Sequence, residues 1–330
     1  MATIEEVAKE AGVSVATVSR VLNNKSPVSI NARIKVENAI KKLKYEPNML
    51  GRNLRRSESR MILALLPSIS NPFYASIIQG IEDIAVENNY GVLLCETSSK
   101  SEREMLYFNL LKQKLADGVI SLDPTIDKNN LKEIGIRYPF IQCCEYDEDL
   151  NIPYVAIDNK LAAYKAVKHL ISIGHKNIAL INSDEKFLYA RLRKEGYIEA
   201  LQENNIEVDE KLMINCDLDF ESGKKAMKQL LKSNESLTAV FAVADILAIG
   251  AIKAIKEANY RVPDDIAVVG FDNIPMANMI DPALTTIAQP MYQIGCTACK
   301  MLIKKINNKD ETIENSILGF ELIIRESTMK

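Results

Sequence analysis

The chain has no tryptophan and only two histidines in 330 residues. His169 and His175 fall in one predicted helix and at its end, which argues against a histidine-based metal centre or a Ser–His–Asp triad. There is no Gly-x-Ser-x-Gly elbow, no Gly-x-Gly-x-x-Gly loop, no P-loop and no evident pair of poised carboxylates. The expectation is a protein that is not an enzyme and needs no cofactor or metal. No stretch approaches the about 18 uncharged apolar residues of a membrane span. The opening MATIEEVAKEAG carries acids where a secretory signal is basic and then apolar. A soluble cytoplasmic protein with no membrane partner is expected. The six cysteines then read as reduced core thiols, and Cys296-Thr-Ala-Cys299 is a lone pair in a helical pattern, with no second pair and no nearby histidine.

What is present is ordinary in bulk and uneven in place. A hydrophobic fraction of 47% and a charged fraction of 26% exclude intrinsic disorder. The length suits about two domains with a small extra module. Residues 1–60 hold 12 Lys and Arg against 6 Asp and Glu, a net charge of +6, whereas the remainder carries −9. A basic head on an acidic body points to a polyanionic partner for the head alone.

The head spells three short helices. Thr3-Ile-Glu-Glu6 is a capping box that starts one, with Val7, Ala8 and Ala11 on a common face and Gly12 as its stop. Ser14 starts a second over about 15–22. Ser29 starts a third that runs to about Lys44, with Ile34, Ala39, Ile40 and Leu43 facing inward. Two helices joined by Gly-Val-Ser match a helix-turn-helix, whose second helix puts its first turn on base edges in the major groove. That turn is Ser14-Val15-Ala16-Thr17, with Arg20 one turn on as the single side chain able to grip a guanine bidentately. Val15 and Ala16 suit thymine methyls. Thr3, Ser14, Asn23 and Ser29 sit at helix ends, where hydroxyl, amide and main-chain groups hold phosphates.

From Met61 a second rhythm begins. Apolar runs such as MILALL, GVISL, FIQCC, NIALIN, AVFAV and IAVVGFD alternate with amphipathic stretches. Runs buried on both faces and separated by helices form parallel, doubly wound sheets, and about nine such units call for two α/β lobes. Ligands in such folds lie outside the carboxyl ends of the strands.

The segments TIEEVAKEAGVSVATVSRVLNN, YEPNMLGRNLRR, SNPFYASIIQGIE, GHKNIALI, VPDDIAVVGFDN and LTTIAQP, in order and at matching spacing, closely resemble the LacI/GalR repressor family. The resemblance implies an all-α helix-turn-helix head (1–46), a hinge helix or linker (47–59) and a periplasmic-binding-protein-like body (60–330). In that body an N-lobe takes about 60–158 and 290–317, and a C-lobe about 159–289 and 318–330. It further implies that Asn48, Arg52 and Arg55 contact DNA and that Leu54 wedges between base steps of a palindromic operator. Packing of Leu54 on the body is the alternative. Effector-contact positions implied by the family motifs are Asn71, Phe73, Asp158, Asp245, Asp272 and Gln289, with Arg191 and Arg193 competing for one arginine role. For Asp158 and Asp272 the alternative is a helix or turn cap at the end of an apolar strand, and Asp245 reads at least as well as the N-cap of its helix. The implied partners are operator DNA, a second copy of the chain through the helices at Phe73 and Asp245, and a sugar or nucleoside effector. IQCCEYDEDLNIPYVAID looks closest to the cytidine-repressor branch; similarity to catabolite control protein A adds a protein co-effector as a second reading.

Overall fold

The computed structural model describes residues 2–22, 28–45, 58–233, 236–308 and 311–329. The chain divides into two units, Met1–Glu58 and Ser59–Lys330.

In the first unit, α1 (Ile4–Ala11), α2 (Val15–Leu22) and α3 (Ile30–Leu43) enclose a small core. The Thr3 hydroxyl accepts the Glu6 amide at 3.3 Å and Glu6 Oε2 accepts the Thr3 amide at 2.9 Å, closing the capping box. Gly12 stops α1 at φ 64°, in the left-handed region where glycine pays no steric cost. Val7, Ala8, Ala11, Val18, Val21, Val36 and Ala39 are buried together. Ile34 departs from the sequence expectation. It is 51% exposed, because the inward stripe of α3 runs through Val36 and Ala39 instead, flanked by Ile40 and Leu43.

The second unit holds two six-stranded sheets. The N-lobe sheet comprises β1 (Met61–Leu66), β2 (Gly91–Glu96), β3 (Gly118–Ser121), β4 (Phe140–Cys143), β5 (Tyr154–Ile157) and β11 (Ser316–Leu318), in the order β11-β5-β4-β3-β1-β2. The C-lobe sheet comprises β6 (Ile178–Asn182), β7 (Met213–Asn215), β8 (Ala239–Ala242), β9 (Ala267–Asp272), β10 (Thr285–Ala288) and β12 (Glu321–Ile323), in the order β12-β10-β9-β8-β6-β7. Every pairing between these strands is parallel except β10 with β12. Three connections pass between the lobes: after β5, after β10, and between β11 and β12.

The sheets are covered by α4 (Pro72–Glu87), α5 (Ser101–Lys112), α6 (Lys128–Arg137), α7 (Asn159–Ser172), α8 (Leu188–Glu203), α9 (Phe220–Ser233), α10 (Asp245–Glu257) and α11 (Met291–Asn307). The closest helix pairs are α4 with α11, α7 with α8 and α9 with α10. In the first pair the backbones touch: a Cβ on Gly80 would collide with the Tyr292 carbonyl, and one on Gly295 with the Ile77 carbonyl. One face each of α4 and α10 is thus spent on partners within the same chain. Among the described residues no helix is long and apolar enough to cross a membrane.

Candidate DNA-reading head and ligand cleft

The helix-turn-helix of the first unit is assembled by short-range bonds. Ser14 caps α2: its hydroxyl accepts the Thr17 amide at 3.2 Å and lies 2.9 Å from the Thr17 hydroxyl. Ala16 and Arg20 are exposed on α2, and Ser14 just before it, while Val18 and Val21 anchor its other side. Val15 is half-buried against the head's core, so only part of its surface is presented outward. Thr3 caps α1, and Ser29 caps α3 by accepting the Ala32 amide at 3.3 Å. A surface ion pair, Lys42 with Glu10 at 2.7 Å, ties α3 to α1. Asn23, Asn48, Arg52, Leu54 and Arg55 lie outside the described residues.

In the second unit a cleft of about 520 Å³ opens between the lobes, at the carboxyl ends of the strands. Five of the sequence-derived positions line it: Asn71, Phe73, Arg193, Asp272 and Gln289. Phe73 is buried and meets Tyr74 edge-on, with ring centroids 5.1 Å apart. Asn71 reaches back to cap α4, accepting the Phe73 amide at 3.1 Å.

Arg193 is the centre of the C-lobe wall. It is buried, with its guanidinium 3.6 Å from the Phe271 ring centroid and 5.0 Å from that of Tyr189. Nε donates to Asn159 Oδ1 at 2.9 Å, and a terminal nitrogen donates to the Val243 carbonyl at 2.5 Å. Asp272 Oδ1 lies 3.7 Å from the guanidinium and accepts from Gln289 Nε2 at 2.8 Å. Burial raises the Asp272 carboxyl above its ordinary range, and Arg193 and Gln289 pull against that rise. Asp272 holds φ at 114°, a conformation that costs a non-glycine residue about 1–3 kcal/mol and persists where surrounding contacts over-determine it.

Three positions fall elsewhere. Arg191, two residues from Arg193 on α8, points to the opposite side, is exposed, and donates to the Glu185 and Lys186 carbonyls at 2.8 and 2.9 Å. A two-residue step turns a helical side chain by about 200°, so only one of the pair can face the cleft. Asp158 is exposed and caps α7 through the Leu161 amide at 2.9 Å. Asp245 is fully buried behind the cleft wall, where it accepts from the Thr286 hydroxyl at 2.6 Å and the Ile274 amide at 2.9 Å. Burial first, and the Asp272 charge second, push its carboxyl well above the ordinary range.

Other lining residues were not singled out from sequence: Asp123, Glu145, Asn159 and Tyr189. Asp123 and Glu145 follow the apolar runs of β3 and β4, and that position past a strand's carboxyl end was the available signal. Asp123 is buried and accepts the Ser99 hydroxyl at 2.5 Å. Its loop is pinned from behind by buried Glu104, which accepts from the Thr125 amide and hydroxyl and the Ile126 amide at 2.7, 2.9 and 3.1 Å. Glu145 crosses the cleft to accept the amides of Leu188 and Tyr189, capping a helix whose own N-cap, Phe187, supplies no side-chain acceptor.

A helix-turn-helix in one unit and, in the other, two largely parallel sheets around a cleft lined by aromatic, acidic and arginine side chains define a ligand-responsive transcriptional regulator. The sequence profile described as bacterial regulatory proteins, lacI family, matches residues 3–48, and that of periplasmic binding proteins and the sugar-binding domain of the LacI family matches residues 59–326. The chain belongs to the LacI family. It is 38% identical over 328 residues to the HTH-type transcriptional repressor CytR of Escherichia coli, covering 99% of this chain and 96% of the relative. The lac repressor dimer bound to operator and the anti-inducer ONPF superposes with a TM-score of 0.90 at 28% identity, covering 100% of this chain and 99% of that one. A LacI-family regulator from Enterococcus faecium with bound ribose gives a TM-score of 0.74 at 32% identity over 81% of this chain and 98% of its own. Such relatives are transcriptional regulators, and this chain stands with them rather than with enzymes.

Proposed function

We propose that this protein is a cytoplasmic, homodimeric repressor that reads a palindromic operator with α2 and releases or tightens its hold when a sugar or nucleoside fills the cleft. The buried Arg193–Asp272–Gln289 array carries the effector half of this reading. The guanidinium lies beside the Asp272 carboxyl, which Gln289 holds, so donor and acceptor stand together in a way suited to the vicinal hydroxyls of a sugar ring. Phe73 gives the opposite wall an apolar surface for the ring's flat side. The exposed first turn of α2 with Arg20 supports the DNA half. The operator-bound dimer of the lac repressor and the bound ribose of the Enterococcus protein support operator, dimer and pentose-containing effector by likeness. Asn48, Arg52, Leu54 and Arg55 are proposed minor-groove and phosphate contacts of the same complex.

A thermal-shift screen of sugars and nucleosides on the full chain tests the effector assignment, since a ligand that binds only the folded state raises the melt by mass action. A shift with a pentose or nucleoside is expected. A melt that no small molecule moves would replace this effector with a protein co-effector.

A further inference from the structure

The cleft offers few places for an anion. It is lined by Asp123, Glu145, Asp184, Asp217, Asp219 and Asp272 against two cations, Lys186 and Arg193. Both cations are engaged. Arg193 is held by Asn159, the Val243 carbonyl and Asp272, while Lys186 pairs with Asp184 at 3.3 Å and sits 4.8 Å from the Phe187 ring centroid.

The second common anion receptor is the open N-terminus of a helix. Four helices begin at this cleft with a side chain already accepting from their first turn. Asn71 caps α4, whose first residue Pro72 has no N–H at all; Asp158 caps α7; Glu145 caps α8 from the opposite lobe; Asp219 caps α9 by accepting the Ser222 amide at 2.8 Å. A fifth, α10, has no side-chain cap at Ala244, and the Asp245 carboxyl in its first turn is turned to Thr286 and Ile274 instead. Against this, one acceptor is left unused. Asp123 is 5% exposed, its Oδ2 takes the Ser99 hydroxyl, and its Oδ1 has no hydrogen-bond partner among the described residues. A buried carboxylate oxygen without a donor is costly unless a ligand supplies one.

We propose that the cleft accepts only uncharged ligands that bring a hydrogen-bond donor to Asp123, and that it rejects the phosphate esters of those same ligands. The inference rests on the effector reading above and narrows it. A hydroxyl or amino group completes the Asp123 shell. A phosphate would have to shed its water among six acidic side chains, with both cations already paired to acids and the one helix end without a side-chain cap, that of α10, carrying a buried aspartate in its first turn.

The experiment is titration calorimetry on the full chain with ribose, cytidine and the phosphate ester of each at its primary hydroxyl, repeated on Asp123→Asn and Asp123→Ala. Ribose or cytidine is expected to bind at least about tenfold more tightly than its own ester, and Asp123→Ala to lose about tenfold of that affinity. Asp123→Asn, which preserves shape, is expected to bind more weakly and to narrow the gap between ligand and ester, with the melting temperature reporting that the fold is kept. An ester that binds as well as its parent overturns the inference while the effector reading stands. So does an Asp123→Asn variant with unchanged affinity and unchanged ratio. Binding of neither parent nor ester would overturn the effector reading itself, and this inference with it.

Discussion

The Glu145 carboxylate accepts the main-chain amide of Tyr189 at 3.2 Å, although Glu145 follows an N-lobe strand and Tyr189 opens a C-lobe helix. The same carboxylate takes the Leu188 amide. A cap that α8 lacks within its own lobe is therefore supplied by the other lobe, and opening the cleft uncaps the helix.

This contact predicts that closure depends on pH. Burial raises the Glu145 carboxyl from its ordinary 4.5 to about 7, further pushed by Asp123 and opposed by the Leu188 and Tyr189 amides and by Arg191. Between those two values the closed lobes hold a proton that the exposed carboxyl of open lobes releases. Closure is thus favoured fully below about 4.5, and the gain is lost as pH rises through about 7, with a slope of at most ~1.4 kcal/mol per pH unit. Melting curves of wild type and Glu145→Gln from pH 5 to 8 should diverge, with the wild type losing ground as pH rises. A difference constant across that range refutes the titration.

Arg193 and Arg191 should separate cleanly. Arg193→Lys keeps a charge but loses the planar fork, so effector affinity by calorimetry should fall by about tenfold or more. Arg193→Ala leaves Asp272 buried without its cation and should cost about 3–5 kcal/mol in denaturant unfolding. Arg191→Ala, made on an exposed side chain, should change effector affinity less than about twofold. Equal effects of the two alanine variants would contradict the geometry.

Operator discrimination should rest on Arg20. Arg20→Ala is expected to lose about 1–3 kcal/mol of preference for operator over random duplex, while its affinity for random duplex changes little beyond the loss of one charge. Gel-shift titrations with both duplexes, run at two salt concentrations, give the two quantities separately.

Gly295 marks the tightest crossing of α4 and α11. Gly295→Ala should destabilise the body by about 1–3 kcal/mol, because the new Cβ meets the Ile77 carbonyl rather than a movable side chain. Gly174→Ala, at φ 100° with open space around it, should be strained without any clash, so a helix-packing cost appears only in the first variant. Urea unfolding of both variants tests this.

The local chemistry of the head was legible in its residues. A capping box, a glycine stop and a serine cap each act within four residues, so sequence spacing alone positions them. Ile34 is different: Val36 and Ala39 face the core instead, and which side of a helix is buried is set by the elements packed against it rather than by any local rule. In the body, runs such as MILALL and AVFA announce strands buried on both faces, since a strand covered by helices on each side has no polar face to alternate. Asp123 and Glu145 were missed because a single acid after a strand looks like any loop acid until its partners arrive from chain positions 24 and 43–44 residues away.

By itself the sequence determined the classes of element, their order and the basic head, because periodicity, caps and charge are local properties of neighbouring residues. It also determined which residue types were available for a polar cleft. Only the tertiary structure decided that Arg193 rather than Arg191 turns inward, that Asp245 and Asp158 serve the frame, and that Glu145 spans the lobes. Those outcomes depend on the helical phase of α8 against a distant sheet and on burial by segments far away in the chain, which no short window of sequence contains.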